Sequence, residues 1–340
     1  MFWKVDRKGI KRPLAFLIIM ALALGGCSGQ GSNLSSADKL VIVDQAGREV
    51  GIAAPVERIV SGYYISSSVC IALGAADKLV GIEARAESRP IYALSKPELI
   101  ELPSVGTAKD FNIETCLSLK PDLVILPYRL RDVADVIGEM GIPAIVVNPE
   151  SYQEILGMID LIGQAIGAED RAESLISWCE ETCGAIHERV AGLSAMPVVY
   201  MCGVGSWLTT ASNNMYQTWL IEMAGGVSAS GAIDGSGWTE ISYEQLLAMD
   251  PEVMIIPSEA DYDESDIFSD SQLAGLAAVR EGRIYKTPSD YEAWDSPVPS
   301  SLLGARWLAG VLHDSPDSSK DALLVILPEA LEFYREFYNI

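Results

Sequence analysis

The fold is decided by the stretch Ala168-Glu-Asp-Arg-Ala-Glu-Ser-Leu-Ile-Ser-Trp-Cys-Glu-Glu-Thr-Cys-Gly-Ala-Ile-His-Glu-Arg-Val-Ala-Gly-Leu193. Apolar or small residues recur in it in steps of three and four, while charged residues occupy the opposite positions. Gly192 and Pro197 close the run. The pattern predicts one amphipathic helix of about 26 residues, about 39 Å long at the usual rise per residue.

The segments on either side of this helix share a second pattern. In each, a Glu near a helix start is followed by a short helix, a Pro-acidic turn, a buried apolar strand and a closing Pro. The two copies match position by position: Asn112-Ile-Glu114-Thr-Cys-Leu-Ser-Leu-Lys-Pro121-Asp-Leu-Val-Ile-Leu-Pro127 and Ser242-Tyr-Glu244-Gln-Leu-Leu-Ala-Met-Asp-Pro251-Glu-Val-Met-Ile-Ile-Pro257. This repeat predicts two similar lobes joined by the long helix.

The remaining elements fix the expected fold class and its boundaries. Strands alternate with helices in both lobes, which is typical of a parallel sheet covered by helices, and so we predict an α/β fold. A chain of 340 residues, 49% of them hydrophobic, is long enough to fill two cores. The predicted segments are a lipoprotein signal peptide over 1–27, a flexible tether over 28–37, an N-terminal lobe over 38–167, the bridging helix over 168–193 and a C-terminal lobe over 194–340.

The N-terminus has the composition of a targeting signal. Basic residues precede an apolar run from Pro13 to Leu24, which is too short for a comfortable permanent membrane span. Leu24-Gly-Gly-Cys27 resembles the bacterial lipobox, in which the Cys is acylated and becomes the new N-terminus. An ordinary secretory signal with a coincidental Cys is the alternative. We expect a lipid anchor on Cys27 that holds the protein at the extracytoplasmic face of the cell membrane.

Composition excludes several functions. The net charge of −23 disfavours a nucleic-acid partner, because phosphate binding needs a basic face. After Cys27, an odd number of cysteines without Cys-x-x-Cys spacing argues against a disulfide framework. Cys179, Cys183 and His187 share one helical face and could hold a soft metal, but a packing role is the better interpretation. We therefore predict no metal site.

Tyr and Trp residues recur where strands of both lobes are predicted to end. Ligands of open α/β sheets lie beyond the carboxyl ends of the strands, and this rule nominates aromatic and basic residues on each lobe. The nominated residues are Tyr63, Tyr64, Tyr128, Arg129 and Arg131 in the first lobe and Trp207, Trp238, Glu259, Tyr262, Tyr291 and Trp294 in the second. We predict an aromatic-walled cleft between the lobes, although any single ring could instead belong to a core.

Short motifs spread over nearly the whole mature chain carry a family resemblance. They are Val43-Asp-Gln-Ala-Gly-Arg-Glu-Val50, Pro55-Val-Glu-Arg-Ile-Val60, Ala72-Leu-Gly-Ala-Ala-Asp-Lys-Leu-Val-Gly81, Asn112-Ile-Glu114, Leu119-Lys-Pro-Asp-Leu-Val-Ile125, Ala224-Gly-Gly226, Val279-Arg-Glu-Gly-Arg-Ile-Tyr285 and Arg306-Trp-Leu-Ala309. Together they resemble the substrate-binding lipoproteins of ABC importers for ferric siderophores, haem and cobalamin. The resemblance implies two Rossmann-like lobes bridged by one long rigid helix. We expect a monomer.

The resemblance also gives a role to Glu114 and Glu244. In the family, one exposed Glu on each lobe pairs with Arg residues of the permease subunits, and these two positions match. The alternative is that each Glu complements a helix dipole, an effect worth about 0.3 to 1 kcal/mol. We favour docking, because two charges on a rigid body would set its register on the permease.

The leading hypothesis for function is a receptor that captures a ferric siderophore and delivers it to a membrane permease. Arg129 and Arg131 could bind the oxygen donors of an anionic chelate, with Tyr and Trp rings packed around it. A corrinoid such as cobalamin, which would depend more on the aromatic rings, is the alternative within the class. Haem bound through His is disfavoured, because His187 and His313 lie away from the nominated residues, but a Tyr ligand stays open.

Two other classes of function are weaker. A surface sensor or adhesin could use the same fold without a permease. An enzyme is disfavoured, because neither a Ser-His-Asp set nor a Gly-x-Ser-x-Gly motif can be assembled, and Gly203-Val-Gly205 lacks the third Gly of a dinucleotide fingerprint. We predict no catalytic residues and no cofactor other than the transported metal complex.

Overall fold

The computed structural model describes residues 39–288, 290–314 and 319–340, so the predicted signal peptide, Cys27 and the tether lie outside the described residues. The strands are β1 Lys39–Val43, β2 Glu49–Ala53, β3 Ile59–Ser61, β4 Leu79–Gly81, β5 Leu123–Pro127, β6 Ala144–Val147, β7 Val198–Gly203, β8 Ser206–Ala211, β9 Val227–Ser228, β10 Trp238–Glu240, β11 Val253–Ile256 and β12 Ile284–Lys286. The helices are α1 Tyr64–Ala72, α2 Pro90–Ser95, α3 Ile113–Ser118, α4 Arg131–Glu139, α5 Tyr152–Ile166, α6 Glu169–Val190, α7 Tyr216–Met223, α8 Tyr243–Met249, α9 Glu264–Ser269, α10 Ala277–Arg280, α11 Ser301–His313 and α12 Ser319–Tyr338.

Each lobe is built on its own sheet. The first sheet has the order β4-β3-β5-β6 and is parallel throughout, as predicted. The second has the order β10-β8-β7-β11-β12, with β9 also paired to β7. Its strands β7, β9, β11 and β12 are parallel, whereas β8 runs antiparallel to both of its neighbours, β7 and β10; β8 and β10 were not predicted. The chain reverses after Gly203, which pairs with Ser206, and so a hairpin forms where the sequence indicated a loop.

The predicted repeat is present in both lobes. Asn112 begins α3, and its side chain accepts a hydrogen bond from the Thr115 backbone N–H at 2.9 Å. Ser242 begins α8 with a capping box formed with Gln245. The strands that follow, β5 and β11, are buried at every position, as expected for central strands covered on both faces.

The long helix α6 covers 22 residues and is about 33 Å long. Its buried residues are Ala172, Leu175, Cys179, Thr182 and Ile186, and all but the polar Thr182 belong to the predicted apolar stripe. They pack against α5 of the first lobe and against α7 and α11 of the second. The predicted helix is therefore confirmed, but it ends at Val190 rather than Leu193.

The C-terminal helix α12 makes a second connection between the lobes, which the sequence did not indicate. It packs against α11 of the second lobe and against α1 of the first. Its aromatic residues Phe333, Tyr334, Phe337 and Tyr338 are each no more than 1% exposed. The first lobe is therefore held both by α6 and by an aromatic cluster at the end of the chain.

The turn between β1 and β2 covers the open edge of the first sheet. The Asp44 carboxylate accepts a hydrogen bond from the Val146 N–H at 2.9 Å. The Gln45 backbone N–H donates to the Val146 carbonyl at 3.1 Å. Arg48 donates to the Ala144 carbonyl at 2.8 Å, and the Gln45 side chain accepts from the Asn148 N–H at 2.6 Å. These are the polar groups of β6 that point away from β5.

In residues 39–288, 290–314 and 319–340, no helix combines the length and apolar character that crossing a bilayer requires. Among the same residues, no group of three or more His, Cys, Asp or Glu side chains is placed to hold a metal ion. Cys179 is buried in the packing stripe of α6, where burial raises the pKa of its thiol.

Candidate ligand-binding cleft

The carboxyl ends of strands from both sheets face a cleft that contains two pockets. We call them the larger pocket, of about 920 Å³, and the smaller pocket, of about 410 Å³. Tyr63 lines the larger pocket and Tyr64 lines the smaller one, directly after β3. Their rings meet edge to face with centroids 5.4 Å apart. This adjacent pair of tyrosines therefore separates the two pockets.

The larger pocket has aromatic and polar walls from both lobes. Tyr128 and Arg129 follow β5, and Asn148 follows β6. The second lobe contributes Trp219 on α7, whose ring stacks on Tyr152 with centroids 5.5 Å apart and an interplanar angle of 4°. Because this stacking holds the Trp219 ring in place, the pocket has a preformed aromatic wall.

Arg89 is the central charge of the smaller pocket. Its guanidinium lies 3.8 Å from the centroid of the Tyr64 ring and forms an ion pair with Glu259 of the second lobe at 2.9 Å. The Glu83 carboxylate lies 3.6 Å away on the other side. Burial lowers the pKa of Arg89, but its acidic and phenolic neighbours outweigh burial and raise the pKa overall. Arg89 is therefore a stable cation that is already neutralised by the protein.

A buried carboxylate closes the floor of the smaller pocket. Glu292 accepts hydrogen bonds from Ser68 of α1 and from Ser300 before α11. Ser68 is also bonded to the Tyr338 hydroxyl of α12 at 2.8 Å. Burial raises the pKa of Glu292, and the hydroxyl donors oppose that rise. This network links both lobes and the C-terminal helix at one point.

Five of the nominated aromatic and basic residues line the cleft: Tyr63, Tyr64, Tyr128, Arg129 and Tyr291. Glu259 lines it as well. In each case the residue follows the end of a buried parallel strand, as the strand-end rule requires.

The other nominated residues line neither pocket, and a ligand-binding role for them stays a prediction. Trp294 is 4% exposed, and its indole N–H donates to the Tyr334 hydroxyl at 2.8 Å, so it is a core residue. Trp207 lies on β8 and packs edge to face on Tyr262, whose hydroxyl donates to the Gly203 carbonyl at 2.6 Å. Trp238 lies on the edge strand β10 and is 42% exposed.

Arg131 also lies outside the pockets. It begins α4, and its guanidinium lies 4.9 Å from the centroid of the Tyr128 ring. Its side chain is 46% exposed. The predicted pair of cleft arginines, Arg129 and Arg131, is therefore reduced to Arg129 in the larger pocket.

Three important cleft residues were not predicted: Arg89, Trp219 and Glu292. Arg89 lies in the segment between β4 and α3, where the sequence shows no regular periodicity. Trp219 lies inside a helix rather than after a strand. Only Glu292 carried a usable signal, because it is next to Tyr291 at the end of β12.

Glu114 and Glu244 occupy equivalent positions in the first turns of α3 and α8. Both are exposed, and neither forms an ion pair with another described residue. A backbone N–H and the Ser242 side chain lower the pKa of Glu244, which keeps this side chain ionised. The equivalent helix starts of the two lobes thus each present an unpaired carboxylate to solvent.

Residues 59–291 match the periplasmic binding protein family. The chain belongs to this family. Members of the family with this architecture are the substrate-binding components of ABC importers, and the chain is such a component rather than an enzyme.

Three members illustrate the range of ligands in the family. The molybdate-binding protein MolA of Haemophilus influenzae is 24% identical in sequence to this chain, over 88% of this chain and 92% of MolA. The structure of MolA bound to molybdate superposes with a TM-score of 0.77 and 22% identity, and the match covers 88% of this chain and 98% of MolA. The vitamin B12-binding protein of Yersinia pestis is 23% identical over 60% of this chain and 70% of its own. The Helicobacter pylori CeuE complex with nickel and histidine has a TM-score of 0.75 and 19% identity, covering 89% of this chain and 96% of that one.

Proposed function

We propose that this protein captures a ferric siderophore in the larger pocket and delivers it to an ABC permease. The observation that carries the proposal is the size and lining of that pocket. Its volume of about 920 Å³ is near the upper end of small-molecule sites, about 300 to 1,000 Å³. A simple oxyanion would leave most of this space to water, whereas a metal chelate would contact both lobes.

The walls suit an organic scaffold around a metal. Tyr63, Tyr128 and Trp219 offer flat apolar surfaces with polar edges, and Asn148 and Asn213 offer amide groups. The ligands named for MolA, CeuE and the vitamin B12-binding protein all contain a metal. These similarities support a metal complex as the cargo.

A corrinoid is the second candidate, because the aromatic wall made by Trp219 and Tyr152 offers a flat surface for a large ring. Haem is the third candidate. His313 bonds to the Ala224 carbonyl and His187 lies on α6, so a haem iron in the larger pocket would take a Tyr ligand.

The test is a titration of protein beginning at Ser28, followed by tryptophan fluorescence. The ligands are ferric hydroxamate and catecholate siderophores, cobalamin, haem and molybdate. We expect saturable quenching by a ferric siderophore, and we expect Trp219→Phe to remove most of it. Trp207→Phe is the matched control, because this residue lies outside both pockets. Saturable quenching by cobalamin or haem alone would show that this ligand, and not a siderophore, is the cargo. Quenching that survives Trp219→Phe would show that the ligand binds outside the larger pocket.

Anchoring and docking complete the proposed function. We propose acylation of Cys27 as the membrane anchor, and docking of Glu114 and Glu244 on arginines of the permease. Cys27→Ala would release the protein from the membrane fraction into the soluble fraction if the lipobox reading is correct. Retention of this variant in the membrane would instead indicate another mode of attachment.

A further inference from the structure

The charged side chains of the larger pocket are mostly acidic. Arg129 is accompanied by three glutamates, Glu150, Glu154 and Glu222. Within the described ranges, none of these four side chains forms an ion pair with another protein group. A ligand entering this pocket therefore meets an excess of uncompensated negative charge.

The three glutamates differ in whether their carboxylates are already bonded within the protein. Burial raises the pKa of Glu150, and its carboxylate is already held by a hydrogen bond from the Tyr216 backbone N–H at the start of α7, which opposes that rise. Glu154 lies in the first turn of α5, and Glu222 lies near the end of α7 and is exposed. Glu154 and Glu222 are therefore the carboxylates available to a ligand.

Glu222 is placed beside an aromatic ring. It follows Trp219 by three residues on α7, a spacing that puts both side chains on one face of the helix. The face of an indole ring attracts cations. A positive group in this corner of the pocket would interact with both the Glu222 carboxylate and the Trp219 ring.

The arginines elsewhere in the cleft do not offset this acidity. Arg131 lies outside the pocket, against the exposed Tyr128 ring. Arg89 lies in the smaller pocket and is neutralised by Glu259 and Glu83. Arg129 alone is insufficient to favour a multiply anionic chelate.

We propose that the ligand of the larger pocket is a metal chelate with a positively charged group, which lies between Glu154, Glu222 and Trp219. This inference rests on the proposed function and narrows its substrate class. It replaces the anionic chelate that the sequence suggested from Arg129 and Arg131. Ferric tris-hydroxamates with a free ammonium group fit, and ferric tris-catecholates do not.

Two matched ligand pairs test the charge apart from the scaffold. Ferrioxamine B carries a free ammonium group, whereas its N-acetyl derivative is neutral. Aquacobalamin carries one more positive charge at the metal than cyanocobalamin. We expect the cationic member of the pair that binds to have a Kd about fivefold to tenfold lower, and we expect this preference to shrink at high salt.

Three single-residue variants test which side chains set the preference for the cationic ligand. Glu222→Gln should reduce the preference for the cationic ligand to about twofold or less. Arg129→Gln should increase the preference. Glu188→Gln, an exposed glutamate on α6 away from the cleft, is the matched control and should leave the preference unchanged.

The outcomes separate the two proposals. Equal affinity within a pair, or tighter binding of a ferric tris-catecholate, overturns the charge inference while the importer function stands. If only the corrinoid pair binds and its cationic member is preferred, the charge inference is supported, and a corrinoid replaces the siderophore as the proposed ligand. Absence of binding by all four ligands overturns both.

Discussion

Arg89 and Glu259, one from each lobe, form an ion pair across the smaller pocket, with 2.9 Å between Nη1 and Oε1. The two partners differ in their surroundings. The Glu259 side chain is 44% exposed, whereas Arg89 is 16% exposed and also neutralises the buried carboxylate of Glu83. The pair therefore joins the lobes through one exposed residue and one largely buried residue that also lies beside a second carboxylate.

Removing either partner of this pair should have unequal effects. Arg89→Met leaves Glu83 buried without its cation, and we expect a loss of about 3 kcal/mol in the free energy of unfolding. Glu259→Gln removes only an exposed partner and should cost less than about 1 kcal/mol. Urea denaturation at pH 7 measures both. Equal losses in the two variants would contradict the assignment of Arg89 to Glu83.

Glu292 should make stability depend on pH. Because burial raises its pKa in the folded protein, its contribution is fully present below the ordinary glutamate pKa of about 4.3 and is lost as pH rises through the folded value. Relative to Glu292→Gln, the wild type should therefore gain stability as pH falls from 8 to 5. Unfolding curves at three pH values test this, with Glu188→Gln as the control. A difference that stays constant over this range would rule out the raised pKa.

Gly62 is expected to tolerate no side chain. A Cβ atom there would lie 2.7 Å from Leu126 Cδ2 and 2.8 Å from Phe111 Cε2, so the neighbours would have to move. We expect Gly62→Ala to cost about 1 to 3 kcal/mol and to weaken ligand binding, because Tyr63 and Tyr64 follow directly. Thermal unfolding and the fluorescence titration measure these effects. Gly138→Ala is the control, because no atom lies within 4 Å of its Cβ. Wild-type stability of Gly62→Ala would show that this contact can relax.

The two exposed glutamates should affect transport and leave binding unchanged. If Glu114 and Glu244 dock on the permease, the double change to Arg should reduce uptake at least about tenfold through like-charge repulsion, with ligand Kd unchanged. Uptake is measured in cells that depend on this protein, with Glu188→Arg as the control. Normal uptake by the double variant would contradict docking through these two glutamates.

The parts of the fold that repeat a local pattern could be predicted from the sequence. The long helix follows from its apolar stripe, and β5 and β11 follow from short apolar runs between prolines. The antiparallel strand β8 was missed, because Ser206 and Trp207 carry no signal that distinguishes a hairpin from a strand-end loop. That error also placed Trp207 in a strand-end loop.

The cleft was predictable only where it follows strand ends. Tyr63 and Tyr128 lie within two residues of a strand end and Tyr291 lies in the segment after β12, whereas Arg89 and Trp219 reach the cleft through tertiary packing of irregular and helical segments. Trp294 and Trp219 could not be told apart by residue type. One is buried because α12 covers it, and α12 meets it from far along the chain.

The turn between β1 and β2 has a consequence for the protein at high concentration. An open sheet edge is a template on which another chain can add a strand, which leads to aggregation. Here Asp44, Gln45 and Arg48 form hydrogen bonds with the outward-facing backbone N–H and carbonyl groups of Ala144, Val146 and Asn148. A second chain that meets this edge therefore finds these polar groups already bonded, which disfavours the addition of a strand there.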